Sequence, residues 1–116
     1  MIGRFALVLH SHLPWLKGHG RWPVGEEWLN QAIASSYVPV FDVLRRLAER
    51  GGRNLVTVGI TPVLAAQLDD PQCLADARGW VADWLWRTQE LALHDPAGAR
   101  REARAARHTL AALEGR

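Results

Sequence analysis

The sequence predicts an incomplete α/β fold: the opening portion of a larger α/β barrel, made of its first two parallel strands and the helices that cover them. Three observations predict it. An apolar run at residues 5–9 ends in the polar stretch His10-Ser-His12-Leu-Pro14, and a second run at 55–60, Leu-Val-Thr-Val-Gly-Ile, ends in Thr61-Pro62. Between them lies helical periodicity in place of a tight turn, so the unit reads as βαβ with parallel strands. After the second run only helical patterns follow, which leaves a sheet with two unpaired edges, short of the three or more strands that independent stability normally needs.

The elements can be justified in order. Residues 5–9 are apolar and strand-like, and the loop from His12 to Trp28 is rich in tryptophan, glycine and proline. Residues 26–36 begin with Glu26 and Glu27, which suit a helix amino terminus, and place Trp28, Leu29, Ala32 and Ile33 on one side. Pro39 restarts the helical register. From 40 to 50 the positions Phe41, Val43, Leu44, Leu47 and Ala48 recur at helical spacing, and Gly51-Gly52 supplies the stop. The run at 55–60 is nearly all apolar and β-branched, the pattern of a strand buried on both faces.

Thr61 is expected to cap a short helix over 62–68, because Pro62 at its first position has no amide hydrogen to satisfy. Asp70-Pro71 repeats that start signal. Leu74, Ala77, Val81, Trp84, Leu85, Thr88 and Leu91 then follow one stripe out to about residue 93. Residues 94–98 break the helix, and a last alanine- and arginine-rich helix spans 99–113. Trp80, Trp84 and Trp86 are assigned to packing, and the apolar surface around them exceeds what two strands can bury. The chain is therefore expected to be one part of a larger barrel, with residues 1–116 as a single stretch of that domain and the remainder of the barrel as its partner.

Composition narrows the class. The chain has 116 residues, 48% of them hydrophobic, as in an ordinary soluble globular domain. Its formal net charge of +2 is carried almost wholly by arginine. Arg100, Arg101, Arg104 and Arg107 gather near the end, but Glu102 and Glu114 interrupt them, so they read as a solvated helix face and no nucleic-acid partner is expected. Cys73 is the lone cysteine, which suits a reducing compartment. The first apolar run is too short for a secretion signal, and no stretch is long enough to span a bilayer. A cytoplasmic location without membrane contact is the expectation.

The chemistry concentrates at the end of the first strand. Side chains alternate along a strand, so His10 and His12 leave the same face. The carboxyl ends of parallel strands are also where α/β proteins bind ligands. Three readings fit. In the first, both imidazoles ligate a divalent metal, as in a metal-dependent hydrolase; against it, the end of the second strand offers only hydroxyls. In the second, the pair holds sugar hydroxyls, since an imidazole donates from one nitrogen and accepts at the other. The indoles of Trp15, Trp22 and Trp28 then supply flat faces for the C–H patches of saccharide rings. In the third, the chain is a non-catalytic interaction module whose aromatic loop or open edges meet a partner.

Four stretches carry a resemblance: His10-Ser-His12-Leu-Pro14-Trp15, the segment from His19 to Leu29, Ser36-Tyr-Val-Pro39, and Thr61-Pro-Val-Leu with Gln67-Leu-Asp-Asp-Pro71. Together they resemble the amino-terminal portion of the glycoside hydrolase family 57 branching enzymes, specifically through about Pro71. The resemblance implies a (β/α)7 barrel and a retaining α-glucan enzyme that moves an α-1,4 chain onto a 6-hydroxyl, with no metal or cofactor. It implies an α-glucan substrate, with His10 and His12 lining the subsite of the sugar whose bond breaks, Trp22 and Trp28 near the cleft, and Pro14 fixing the loop. The nucleophilic glutamate and the acid/base aspartate of such enzymes belong to later motifs. Glu26, Glu27, Glu49, Glu90, Glu102 and Glu114 match no nucleophile position, so the chain by itself is expected to be inactive.

Overall fold

A computed structural model describes residues 2–21 and 25–115. In chain order the elements are β1 (Val8–Ser11), α1 (Glu26–Ala32), a π-helical segment (Ile33–Tyr37), α2 (Val38–Glu49), β2 (Thr57–Ile60), α3 (Pro62–Leu68), α4 (Pro71–Leu91) and α5 (Pro96–Leu113). The two strands form a parallel pair with Val8 opposite Thr57, Leu9 opposite Val58, His10 opposite Gly59 and Ser11 opposite Ile60. β2 falls inside the second apolar run, whereas β1 shares only Val8 and Leu9 with the first run and continues through His10 and Ser11. β1 starts later than residue 5 because the ladder with β2 opens at the bond from Thr57 N to Leu7 O (2.9 Å).

Pro39 does not interrupt the helix it enters. A proline lacks the amide that would bond back to residue 35, and its ring crowds that turn. The backbone answers by widening one turn: the Val38 amide donates to the Ile33 carbonyl, five residues back, and the helix runs on from α1 through the π segment into α2. The register restarts, as expected, without a break. α2 then ends at Gly51, whose φ of 87° is open to glycine, with Gly51 N donating to Ala48 O at 3.0 Å and Gly52 N to Leu47 O at 2.9 Å.

The core is helical. One cluster joins Leu16 of the loop, Leu29, Ile33, Leu64, Cys73 and Ala77; a second joins Ala34, Val81 and Ala106, with Trp80, Trp84, Leu85 and Leu110 against it. α4 and α5 approach closely because their facing positions are small: Ala77 and Val81 on one, Gly98, Ala99, Ala103 and Ala106 on the other. Asp70 caps α4 through Gln72 N (2.8 Å) and Cys73 N (3.1 Å), and Asp95 caps α5 through Gly98 N (2.8 Å). This second cap starts α5 at Pro96, three residues earlier than the alanine pattern suggests.

Two expectations about burial are corrected. β2 is not buried on both faces: Leu55, Thr57 and Ile60 are exposed, because among the described residues no helix packs extensively over either face of the sheet. Nor do all three tryptophans of α4 pack. Trp80 and Trp84 do, with centroids 6.1 Å apart, and their indole N–H groups donate to Glu27 and Glu102, each at 3.2 Å. Trp86 is 64% exposed, since it lies off the stripe that meets α5. α1, α3, α4 and α5 thus bury residues against one another, whereas α2 and the sheet bury none among the described residues.

Candidate functional site at the strand ends

Alternation divides the sheet into two unequal faces. Leu9, Ser11 and Val58 turn toward α2 and are half-buried; Val8, His10 and Thr57 turn away and are exposed. His10 therefore projects from the uncovered face, opposite Gly59, where the absence of a side chain leaves one flank of the ring bare. An added Cβ at Gly59 would sit 3.6 Å from His10 Nδ1. Beyond the strand, His12 is also exposed, and its Nδ1 shares a hydrogen bond of 3.2 Å with Thr61 Oγ1. That bond corrects one expectation: the Thr61 hydroxyl makes no cap to α3 and turns to His12 across the strand ends instead.

A cleft of about 370 Å³ runs along β1, with His10 and His12 on one side and Ser36, Tyr37 and Phe41 on the other. The widened helical turn before Pro39 is what brings Ser36 and Tyr37 there. Burial pushes the Tyr37 hydroxyl above the usual phenol range. No carboxylate lines this cleft among the described residues. Glu26, Glu27, Glu49 and Glu102 are occupied elsewhere, by Gly18 N, Trp80, Arg45 and Trp84.

The loop after β1 is held from α3 and its flank. Pro14, Leu16 and Lys17 are gripped by Gln67, whose side chain is completely buried: Nε2 donates to Pro14 O at 3.0 Å and Oε1 accepts from Leu16 N at 2.8 Å and Lys17 N at 3.3 Å. Lys17 Nζ also pairs with Asp70. That contact, followed by the backbone amides of Cys73 and Gln72, holds the Asp70 carboxyl below the usual carboxylate range and the Lys17 ammonium above its own. Farther along, the loop closes where the Gly25 backbone meets the Gly20 carbonyl, an approach that leaves no room for a side chain at Gly25.

Of the five residues read as ligand contacts, the structure brings His10 and His12 to one rim. Trp15, in the gripped loop, and Trp28, in the first turn of α1, are 47% and 45% exposed. Trp22 lies outside the described residues. Gln67 is the member that reasoning from the residues passed over, although it stands inside a quoted stretch; a lone glutamine on an alanine-rich helix gave no signal of its fifty-residue reach. Among the described residues, no group of three or more histidine, cysteine, aspartate or glutamate side chains is placed to hold a metal ion.

Fold and site together define an α/β chain with two exposed imidazoles at the end of a parallel strand, beside a cleft lined by Ser36, Tyr37 and Phe41. No family model matches it. Among known proteins it is 56% identical over 90 residues to a probable 1,4-alpha-glucan branching enzyme of Mycobacterium tuberculosis, in strains CDC 1551 and H37Rv alike, a match over 78% of this chain and 17% of that protein. It is 43% identical over 70 residues to the 1,4-alpha-glucan branching enzyme of Thermococcus kodakarensis, over 60% of this chain and 10% of the relative. The solved GH57-type branching enzyme of Pyrococcus horikoshii superposes with a TM-score of 0.88 at 30% identity, over 95% of this chain and 22% of that one. The T. kodakaraensis GH57 branching enzyme, solved with glucose and additives, gives 0.82 at 29%, over 95% and 21%. The chain is homologous to the GH57-type branching enzymes along most of its length, and it spans about a sixth (17%) of the M. tuberculosis relatives.

Proposed function

We propose that residues 1–116 form the amino-terminal part of the catalytic (β/α)7 barrel of a retaining α-glucan enzyme, one that transfers α-1,4-linked chains to 6-hydroxyls. In this reading the chain supplies sugar contacts and no catalytic carboxylate. The observation that carries it is that His10, on the sheet face left exposed among the described residues, and His12, just past the carboxyl end of β1, line one cleft. In a barrel that face is the interior, and the strand ends are the mouth where substrate enters. His10, His12, Trp15, Trp22 and Trp28 then hold the glucose unit whose bond breaks, imidazoles to hydroxyls and indoles to ring faces. Retention requires two carboxyls about 5 Å apart across that bond, and the cleft described here has none, so both come from the remainder of the barrel. No metal or cofactor enters this chemistry. The lone buried Cys73 suits a reducing, cytoplasmic setting.

The test is direct. The 116-residue chain is expected to bind maltoheptaose weakly in calorimetric titration, to lose that binding on replacement of both His10 and His12 by alanine, and to leave amylose unbranched. Branching or hydrolysis by a pure preparation, or binding indifferent to both histidines, overturns the reading.

A further inference from the structure

Among the described residues, the side-chain hydrogen bonds and the ion pair that reach the segment from His12 to Lys17 from elsewhere in the chain come from one short stretch. Thr61 immediately precedes α3, Gln67 sits in its last turn and Asp70 follows it; their partners are His12, then Pro14, Leu16 and Lys17, then Lys17 again. The Gln67 carboxamide is saturated. Its two N–H groups go to Pro14 O and to Val63 O (3.3 Å) on its own helix, and its oxygen takes the amides of Leu16 and Lys17. A carboxamide has two donors and two acceptor lone pairs, so its capacity is fully used: three bonds fix this loop and the fourth ties the side chain to its own helix. Trp15 lies between the two gripped positions, its backbone held on both sides and its indole half-exposed.

We infer that Gln67 is the positioning residue of the rim, and that α3 with its flanks is a bracket setting the orientation of Trp15 and His12 toward a glucan ligand. Leu16 already anchors the loop in the core, so an apolar anchor alone would keep the chain attached. It would not set the loop's register, because apolar contacts are non-directional, whereas a buried carboxamide accepts only one arrangement of the facing backbone. A rim held this way binds without first having to order its aromatic plate, which raises affinity through preorganisation. The inference rests on the glucan reading above.

The experiment compares the full chain with Gln67→Met, which keeps length and burial but makes none of the four bonds, and with Thr88→Val, which removes a buried hydroxyl between α4 and α5 far from the rim. Two readouts are taken: hydrogen–deuterium exchange of the peptide covering residues 12–17, and calorimetric affinity for maltoheptaose. Gln67→Met is expected to accelerate exchange in that peptide and to weaken maltoheptaose binding about tenfold, while Thr88→Val changes neither. If Gln67→Met does not fold, Thr61→Val is the second variant, expected to weaken binding by freeing His12. Wild-type affinity in a folded Gln67→Met or Thr61→Val overturns the inference. Absence of maltoheptaose binding by the unmodified chain overturns the glucan reading instead; the bracket is then judged by exchange, and equal rates at residues 12–17 overturn it.

Discussion

The packed helices α1, α3, α4 and α5 and the two-stranded sheet of this protein both carry apolar residues, yet they end in opposite states. In the helices, Leu29, Ile33, Leu64, Ala77, Val81 and Ala106 are all but inaccessible, and buried polar groups such as Gln67 and Thr88 have hydrogen-bond partners. In the sheet no residue reaches the core; Val8 is 64% exposed and Ile60 41%. Helices carry their backbone hydrogen bonds within themselves and can close on one another, as α4 and α5 do. A strand needs a neighbour on each edge and a layer on each face. The difference teaches where cover is lacking among the described residues: the sheet, including the face that carries His10.

That contrast yields predictions of descending size. Leu64→Ala, in the middle of the first core cluster, is expected to lower unfolding free energy by about 2–5 kcal/mol, measured by urea denaturation. A loss under 1 kcal/mol would mean that the helical layer is looser than it looks. Gln67→Met is expected to cost about 1–3 kcal/mol, because it orphans the buried Leu16 amide. Ile60→Ala, on the sheet, is expected to fall within about 0.5 kcal/mol of wild type, as surface substitutions do. An Ile60 cost equal to that of Leu64 would erase the comparison.

Without any substitution, amides of β1 and β2 should exchange with solvent well before those of Ala77, Val81 and Ala103 in α4 and α5, since exchange follows local opening. Acid gives the last test. Asp70, beside Lys17 and the α4 amides, and Asp42, beside Arg45 first and then Arg46 and His108, both titrate below the unfolded carboxylate value of 3.8. A depressed folded pKa means stability that is full above that value and is lost as pH falls through the folded pKa. Melting temperature should therefore drop on acidification below about pH 4. In the variants Asp42→Asn and Asp70→Asn the drop should be shallower; an unchanged acid limb would deny these pairs a role.

Much of the scaffold was legible from the residues alone, and for one kind of reason. Period, proline and capping act between neighbours, so α3 and α4 begin at Pro62 and Pro71 as expected and Gly51 ends α2, whereas only His10 lies within the strand and His12 falls just beyond it. The widened turn before Pro39 was half legible: the proline announced a disturbance, and only the continuous packing of Leu29, Ile33 and Ala34 explains why the helix bends its register instead of stopping.

What tertiary structure alone decided are the long-range choices. Thr61 could have capped its own helix or reached His12, and the folded chain chose His12. Gln67 could have been a solvated glutamine, and Trp86 could have packed. Which outcome holds depends on partners some fifty residues away, whose approach is set by burial of surface over the whole helical layer. Local sequence determined where each element starts and which face is apolar; three-dimensional packing determined which of those faces found a partner, because burial is a property of pairs of elements and no single segment specifies its neighbour.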